Sequence, residues 1–270
     1  MSDARVSSPA LKAELIKGMC DEDADLTVID GGLSTTPMQY FAINHADADG
    51  GVMVTASHMG HPYNGFKLSR RGAVPIYQGG GIEEIRNTAV RGIFETKSAH
   101  GQVVSEDFLS AYVDFLLKSI AEKKLKRFSI VADTGNGMAG LALPELCKHL
   151  PVDMEVLYGD IDMTFPNHEA NPLKDETIEN LCARVCEKGA DFGMAFDGDG
   201  DRISFVTHEG KRVSGDHLIA FLAEGLLRAH PGSAIIYDLR VGRAVVERIM
   251  TLGGRVVESR VGHSYIKKLM

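Results

Sequence analysis

The four cysteines of this 270-residue chain (Cys20, Cys147, Cys182 and Cys186) include no CxxC pair, so the spacing typical of a thiolate metal site is missing. Cys182 and Cys186 lie four apart in a helical-looking stretch, a spacing that suits burial in a core better than metal binding. Tryptophan is absent. There is no basic surplus either: 29 Lys and Arg against 37 Asp and Glu leave a net charge of -8. That argues against a nucleic-acid partner, whose phosphates select a basic surface, yet leaves room for a small, locally basic anion site. No run approaches the ~20 apolar residues of a membrane span, and the N-terminus shows no apolar signal region. The expectation is therefore no membrane association and a reducing, cytoplasmic setting.

What is present is ordinary globular material, 44% hydrophobic and 24% charged, with 29 glycines often clustered as if at tight turns. The length suits one large or two ordinary domains. Helix-like and strand-like segments alternate. Residues 9–20 read as a helix with Ser7 or Ser8 as N-cap and Pro9 in its first turn. A short apolar strand at 26–29 leads to a helix at 35–45. The strand at 51–55 delivers Ser57. Residues 106–124 form an amphipathic helix with Phe108, Tyr112, Phe115 and Leu116 on one face. Strand 128–132, a glycine turn and helix 139–149 follow, then helix 176–188 and strand 192–196. Helix 215–229, strand 234–237 and helix 241–252 complete the pattern. Alternation of this kind predicts α/β architecture with mostly parallel sheets. A strand–turn–helix unit recurs at 26–45, 128–149 and 234–252. Soft boundaries, one after the polar stretch 96–101 and one at 208–210, divide the chain into 1–102, 103–210 and 211–270.

Two segments carry chemistry. In Thr55-Ala56-Ser57-His58, followed by Tyr63-Asn64-Gly65-Phe66-Lys67, a serine sits beyond an apolar strand, where ligands of α/β sheets gather. Ser57 suits a nucleophile or phosphate carrier, and His58 and Lys67 suit proton transfer or positive charge; a plain turn with a capping serine is the alternative. In Asp197-Gly198-Asp199-Gly200-Asp201-Arg202, three carboxylates alternate with glycines. They repel one another unless a cation sits among them, and hard oxygen ligands suit Mg²⁺ or Ca²⁺. A calcium EF-hand loop is excluded, because its sixth and twelfth positions would be Arg202 and His208 and not Gly and Glu. Mg²⁺ fits better; a solvated acidic loop is the bland reading. Arg202 could reach a phosphate held by such a metal, or simply balance charge. Arg240, at a strand end, is a further anion-binding candidate. His263 sits at a helical start, where a lone histidine is more often structural.

Together these segments resemble the α-D-phosphohexomutase family, most closely its bacterial phosphomannomutase/phosphoglucomutase branch. The serine loop at 55–67 matches the family's TASHNPxxYNGFK, and DGDGDR stands unbroken at 197–202. Phe165-Pro166-Asn167-His168 with Asn171-Pro172, Ser214-Gly215-Asp216, and 261–267 also match, in family order across essentially the whole chain. The resemblance implies repeated mixed-sheet α/β domains around one cleft. Ser57 would be the phosphoserine, and His58 and Lys67 its active-site partners. Asp197, Asp199 and Asp201 would hold Mg²⁺ together with the Ser57 phosphate, with Arg202 beside them. Arg240 falls where that branch usually has lysine, in the substrate-binding region, and His263 falls on an active-site histidine. The implied reaction interconverts hexose 1-phosphate and hexose 6-phosphate through a hexose 1,6-bisphosphate, which also serves as activator.

The match has departures. Met59-Gly60 replaces Asn-Pro, which should loosen the serine loop. The first domain is expected to lack its N-terminal part, the third to be incomplete and the fourth, with its GExSGH sugar-binding segment, to be absent. An incomplete domain should expose apolar surface and promote self-association. Two other functions compete: a catalytically silent relative that binds Mg²⁺, phosphosugar or a partner, and a Mg²⁺-dependent phosphatase with Asp197 as nucleophile.

Overall fold

A computed structural model describes residues 1–92, 100–120 and 125–270. Part of the polar stretch at 96–101 and the end of the expected helix 106–124 lie outside the described residues. Two compact units result, Met1–Lys211 and Arg212–Met270.

The first unit runs α1 (Ser8–Glu22), β1 (Thr27–Asp30), α2 (Thr36–His45), β2 (Gly50–Val54), β3 (Phe66–Arg70), β4 (Val74–Pro75), α3 (Ile82–Arg91), β5 (Gln102–Ser105), α4 (Leu109–Ile120), β6 (Phe128–Asp133), α5 (Ala139–Cys147), β7 (Val152–Leu157), α6 (Glu179–Lys188), β8 (Phe192–Phe196) and β9 (Ile203–Thr207). The second holds α7 (Gly215–Ala229), β10 (Ala234–Asp238), α8 (Arg243–Thr251), β11 (Arg255–Ser259) and α9 (His263–Leu269). All three expected strand–turn–helix units form, as β1–α2, β6–α5 and β10–α8.

The sheets are mixed. β1 pairs with β5, β10 with β11, and β6 with both β7 and β8, all parallel, whereas β2–β3, β3–β4 and β8–β9 are antiparallel. The mostly parallel expectation fails around the two chemical loops for one reason. Residues 55–65 and 197–202 connect their strands directly, and a parallel return needs a crossover of a dozen or more residues, usually a helix. Each loop is therefore the tip of an antiparallel pair.

Local capping differs from expectation at α1. The Ser7 side chain caps nothing, and Ser8 Oγ instead donates to Asp3 Oδ1 at 2.6 Å. At α2, Thr35 is the cap, accepting from Met38 N at 3.2 Å, which fixes where that helix begins.

Three apolar clusters hold these elements. Val131, Leu181, Val185, Ala195 and Val206 pack α6 onto β6, β8 and β9. Phe108 and Tyr112 of the expected amphipathic face pack with Met38 and Ala42 of α2, which joins the element before the serine loop to the element after β5. Phe115 of that face is half exposed and lies against Phe41, ring centroids 5.1 Å apart and tilted. In the second unit Ala223, Leu227, Val245 and Ile249 join α7 to α8, while Phe221, Leu222 and Leu226 stay exposed on α7. Among the described residues no helix is long and apolar enough to cross a membrane.

Leu181 is fully buried beneath β8. Leu181→Ala should therefore destabilise the chain by about 2–5 kcal/mol, read as a lower urea midpoint with unchanged slope.

Candidate functional site

The serine loop begins where β2 ends. Ser57 takes a left-handed backbone, φ 54°, a conformation sparsely populated for residues other than glycine and held only by its surroundings. Those surroundings centre on Arg5, which is 1% exposed. Its Nη1 donates to the carbonyls of Gly60 (2.8 Å) and Tyr63 (3.1 Å), and its Nη2 donates to those of Ser57 (2.8 Å) and Met59 (2.7 Å). Its Nε completes the fork on Asp3 Oδ2 at 2.9 Å. A guanidinium offers five donors in a rigid plane, and here all three nitrogens are used. The Met59-Gly60 replacement was expected to loosen this loop; instead both of those carbonyls are tied down by Arg5. Asn64 adds a second tether, its Nδ2 donating to Ser7 Oγ and Ser8 Oγ, each at 2.9 Å.

The acidic loop at 197–202 lies directly against this loop. Its two glycines serve different needs. Gly200 has φ +71°, a backbone that side chains rarely adopt, whereas a Cβ on Gly198 would come within 2.6 Å of the Ser57 carbonyl oxygen. The loop is gripped from two helix starts as well: Thr36 N donates to the Asp199 carbonyl and Met138 N to the Gly198 carbonyl, both at 2.9 Å.

These constraints bring six of the nine predicted residues together. Ser57 Oγ donates to Asp197 Oδ2 at 3.1 Å and accepts from Arg202 Nη2 at 3.1 Å. Asp197 Oδ1 accepts from the backbone N–H groups of Asp201 and Arg202, each at 3.0 Å. Lys67 Nζ reaches Asp199 Oδ2 at 2.5 Å and Asp201 Oδ2 at 2.6 Å. Thr36 Oγ1, which the sequence did not single out, also donates to Asp199 Oδ2. His58 is adjacent, with its Nδ1 buried and unpartnered. Arg240 and His263 belong to the second unit. There Arg240 is paired with Asp238, Nη2 to Oδ2 at 2.6 Å, and His263 opens α9.

The electrostatics follow from burial. Asp197 and Asp199 are both fully buried. Burial and then the neighbouring charges of Asp199 and Asp201 raise the pKa of Asp197 to about 7. Burial works against the charge on Lys67, but Asp199 and Asp201 outweigh it and raise its pKa. Burial, then the Arg202 charge, pushes His58 below its ordinary value, so its neutral form is favoured.

The acidic loop suits a divalent cation. One oxygen from each of Asp197, Asp199 and Asp201 lies within 4.8 Å of the others. Asp199 Oδ1 is buried without any hydrogen-bond partner, which is costly for a carboxylate oxygen unless a cation meets it. Lys67 already occupies the neighbouring oxygens, as a cation would. An all-oxygen donor set is that of a hard ion such as Mg²⁺.

Arg5 and Thr36 are the residues that sequence reasoning passed over. The signal for Arg5 was slight, a lone arginine two places from an aspartate, because its partners are main-chain carbonyls some fifty residues away.

Comparison with known proteins identifies the family. Three domain models of one family match in order: Phosphoglucomutase/phosphomannomutase, alpha/beta/alpha domain I over residues 2–96, domain II over 110–210 and domain III over 214–270. A phosphomannomutase/phosphoglucomutase of Pseudomonas putida is 37% identical over 99% of this chain, which covers 56% of that protein. A phosphomannomutase of Salmonella montevideo is 38% identical over 99% of the chain, covering 60% of its length. The crystal structure of a phosphoglucomutase/phosphomannomutase family protein from Burkholderia thailandensis superposes with TM-score 0.90 at 32% identity, over 99% of this chain and 58% of that one. The chain thus spans little more than half the length of the relatives it matches. In sequence, in domain order and in fold, it belongs to the phosphoglucomutase/phosphomannomutase family.

Proposed function

We propose that this chain carries the phosphoserine and metal centre of a phosphohexomutase, which interconverts hexose 1-phosphate and hexose 6-phosphate of mannose, glucose or both. The observation that carries this reading is Ser57 Oγ held between Asp197 and Arg202, 3.1 Å from each. We further propose that residues 1–102 supply the serine, 103–210 the metal ligands and 211–270 sugar recognition, with Arg240 and His263 among that last set.

Phosphoryl transfer is mostly positioning and charge stabilisation. Asp197, Asp199 and Asp201 would hold Mg²⁺, which when bound neutralises phosphate charge. Arg202, already on Ser57 Oγ, is placed to bond the oxygens of a phosphate carried there. Lys67 adds a fixed positive charge beside the same loop. In the forward half-reaction the phosphate leaves Ser57 Oγ for a free hydroxyl of the hexose phosphate, giving a hexose 1,6-bisphosphate, while that hydroxyl's proton passes to a base. His58, favoured neutral, and His263 are the candidates. After the bisphosphate turns round, its other phosphate returns to Ser57 and a proton returns to the product hydroxyl. A hexose 1,6-bisphosphate from solution would charge the serine initially.

The aspartate-nucleophile alternative suits the geometry poorly. Asp197 spends Oδ1 on two backbone N–H groups and Oδ2 on Ser57, the posture of a ligand and not of an attacking group. The four cysteines are free, which is in keeping with the cytoplasmic setting we propose. The exposed Phe221, Leu222 and Leu226 of α7 support the proposal of self-association.

Two experiments test this reading. With Mg²⁺ and glucose 1,6-bisphosphate, the chain should turn over glucose 1-phosphate or mannose 1-phosphate, and Ser57→Ala should lower the rate at least ~10³-fold; turnover that survives the substitution overturns the phosphoserine role. Arg5→Lys keeps the charge but loses the planar fork. It should lower kcat about tenfold or more with little change in KM, because the serine is misplaced while substrate contacts persist. An unchanged kcat would show that Arg5 does not position the serine.

A further inference from the structure

Each carboxylate of the acidic loop has one oxygen already committed. Asp197 Oδ1 is held by the N–H groups of Asp201 and Arg202, each at 3.0 Å. Asp201 Oδ2 takes Lys67 Nζ at 2.6 Å. Asp199 is gripped twice by a single residue, Thr36. The Asp199 carbonyl accepts from Thr36 N at 2.9 Å, and Asp199 Oδ2 accepts from Thr36 Oγ1. The other oxygen of that carboxylate, Oδ1, is buried without a hydrogen-bond partner among the described residues.

The start of α2 explains the double grip. Thr35 is the cap and Thr36 the first helical residue, so the Thr36 N–H has no acceptor within its own helix. It is spent on the acidic loop instead. The Thr36 side chain is fully buried, and a β-branched side chain is stiff about its first torsion, so the hydroxyl stays where the helix puts it. Lys67 Nζ also reaches Asp199 Oδ2, at 2.5 Å, but its side chain is 22% exposed and hangs on a flexible stem. Of the two donors on that oxygen, Thr36 is the fixed one.

A donor fixed on Oδ2 leaves Asp199 one oxygen to offer a cation. That distinction separates ions. Ca²⁺ is large, gathers about 6–8 oxygens and readily takes both oxygens of one carboxylate, whereas Mg²⁺ is smaller, demands near-octahedral geometry and keeps several waters. We propose that Thr36 is a specificity-determining residue of the metal centre. By occupying Asp199 Oδ2 it makes Asp199 a one-oxygen ligand and so favours Mg²⁺ over Ca²⁺. This rests on the reading of the acidic loop as a metal centre given above. Thr36 does not touch the ion; it acts through Asp199, as a positioning residue. The backbone N–H groups on Asp197 Oδ1 do the same for that carboxylate, but they cannot be removed by substitution, and the Thr36 hydroxyl can.

Mg²⁺ and Ca²⁺, each alone, are titrated calorimetrically into the full chain and into its Thr36→Val and Thr36→Ser variants. Valine keeps the branched shape and loses the hydroxyl; serine keeps the hydroxyl. The unmodified chain should bind Mg²⁺ at least as tightly as Ca²⁺. Thr36→Val should weaken Mg²⁺ binding at least ~10-fold, as loss of a partner behind a metal ligand typically does, while Ca²⁺ binding is unchanged or stronger. Thr36→Ser should keep the unmodified preference. Tighter binding of Ca²⁺ than of Mg²⁺ by the unmodified chain overturns the proposal whether or not the valine variant folds. So does a valine variant that weakens both ions equally or neither, or a serine variant that loses the preference; in these cases the metal centre itself stands. No Mg²⁺ binding by the unmodified chain would overturn the metal reading, and the role of Thr36 with it.

Discussion

The candidate site depends on one close approach, the Ser57 carbonyl resting on Gly198. A Cβ at Gly198 would lie 2.6 Å from that oxygen, so only glycine lets the two loops meet. The same carbonyl accepts from Arg5 Nη2 at 2.8 Å. One main-chain oxygen thus anchors the serine loop to the arginine beneath it while lying against the acidic loop. From that contact follow the left-handed Ser57 backbone, the aim of its Oγ, and the 3.1 Å contacts with Asp197 and Arg202. The strain of the serine is held by hydrogen bonds made elsewhere, as strained functional residues require.

The second constraint is electrostatic. Two fully buried aspartates and a third nearby form an arrangement that repels itself. The protein relieves part of this with Lys67, Thr36 and backbone N–H groups, and leaves Asp199 Oδ1 with no partner at all. Burying charge without full compensation costs stability. A cluster kept in this state is organised for a cation, and the raised pKa of Asp197 follows first from its burial and then from the negative charges of Asp199 and Asp201.

Much of this was legible in the sequence, and what was missed has a common cause. The three strand–turn–helix units and helices α1, α4, α6 and α7 followed from apolar periodicity, whereas β3, β5, β7, β9, β11 and α3 did not, and the acidic loop announced itself through three carboxylates at alternate positions. Ser57 and Lys67 could be named because both sit on a local motif. Arg5 could not, since its four carbonyl partners are scattered over residues 57–63 and carry no side-chain signature. Thr36 escaped for a similar reason: it looks like ordinary helix, and only the packing shows it on Asp199. The parallel expectation failed at β2–β3 and β8–β9 because β3 and β9 do not stand out as strands in the sequence, and without them the short connections that force an antiparallel return go unnoticed.

The central claim is that the carboxylates of the 197–202 loop are arranged to hold a divalent cation. Titrating Mg²⁺ calorimetrically into the full chain, beside Asp199→Asn, tests it most directly. The account expects one ion per chain in the unmodified protein and at least ~10-fold weaker binding in the variant, because the unpartnered Asp199 oxygen is the ligand held ready. Equal binding by both proteins, or no binding by either, would contradict it.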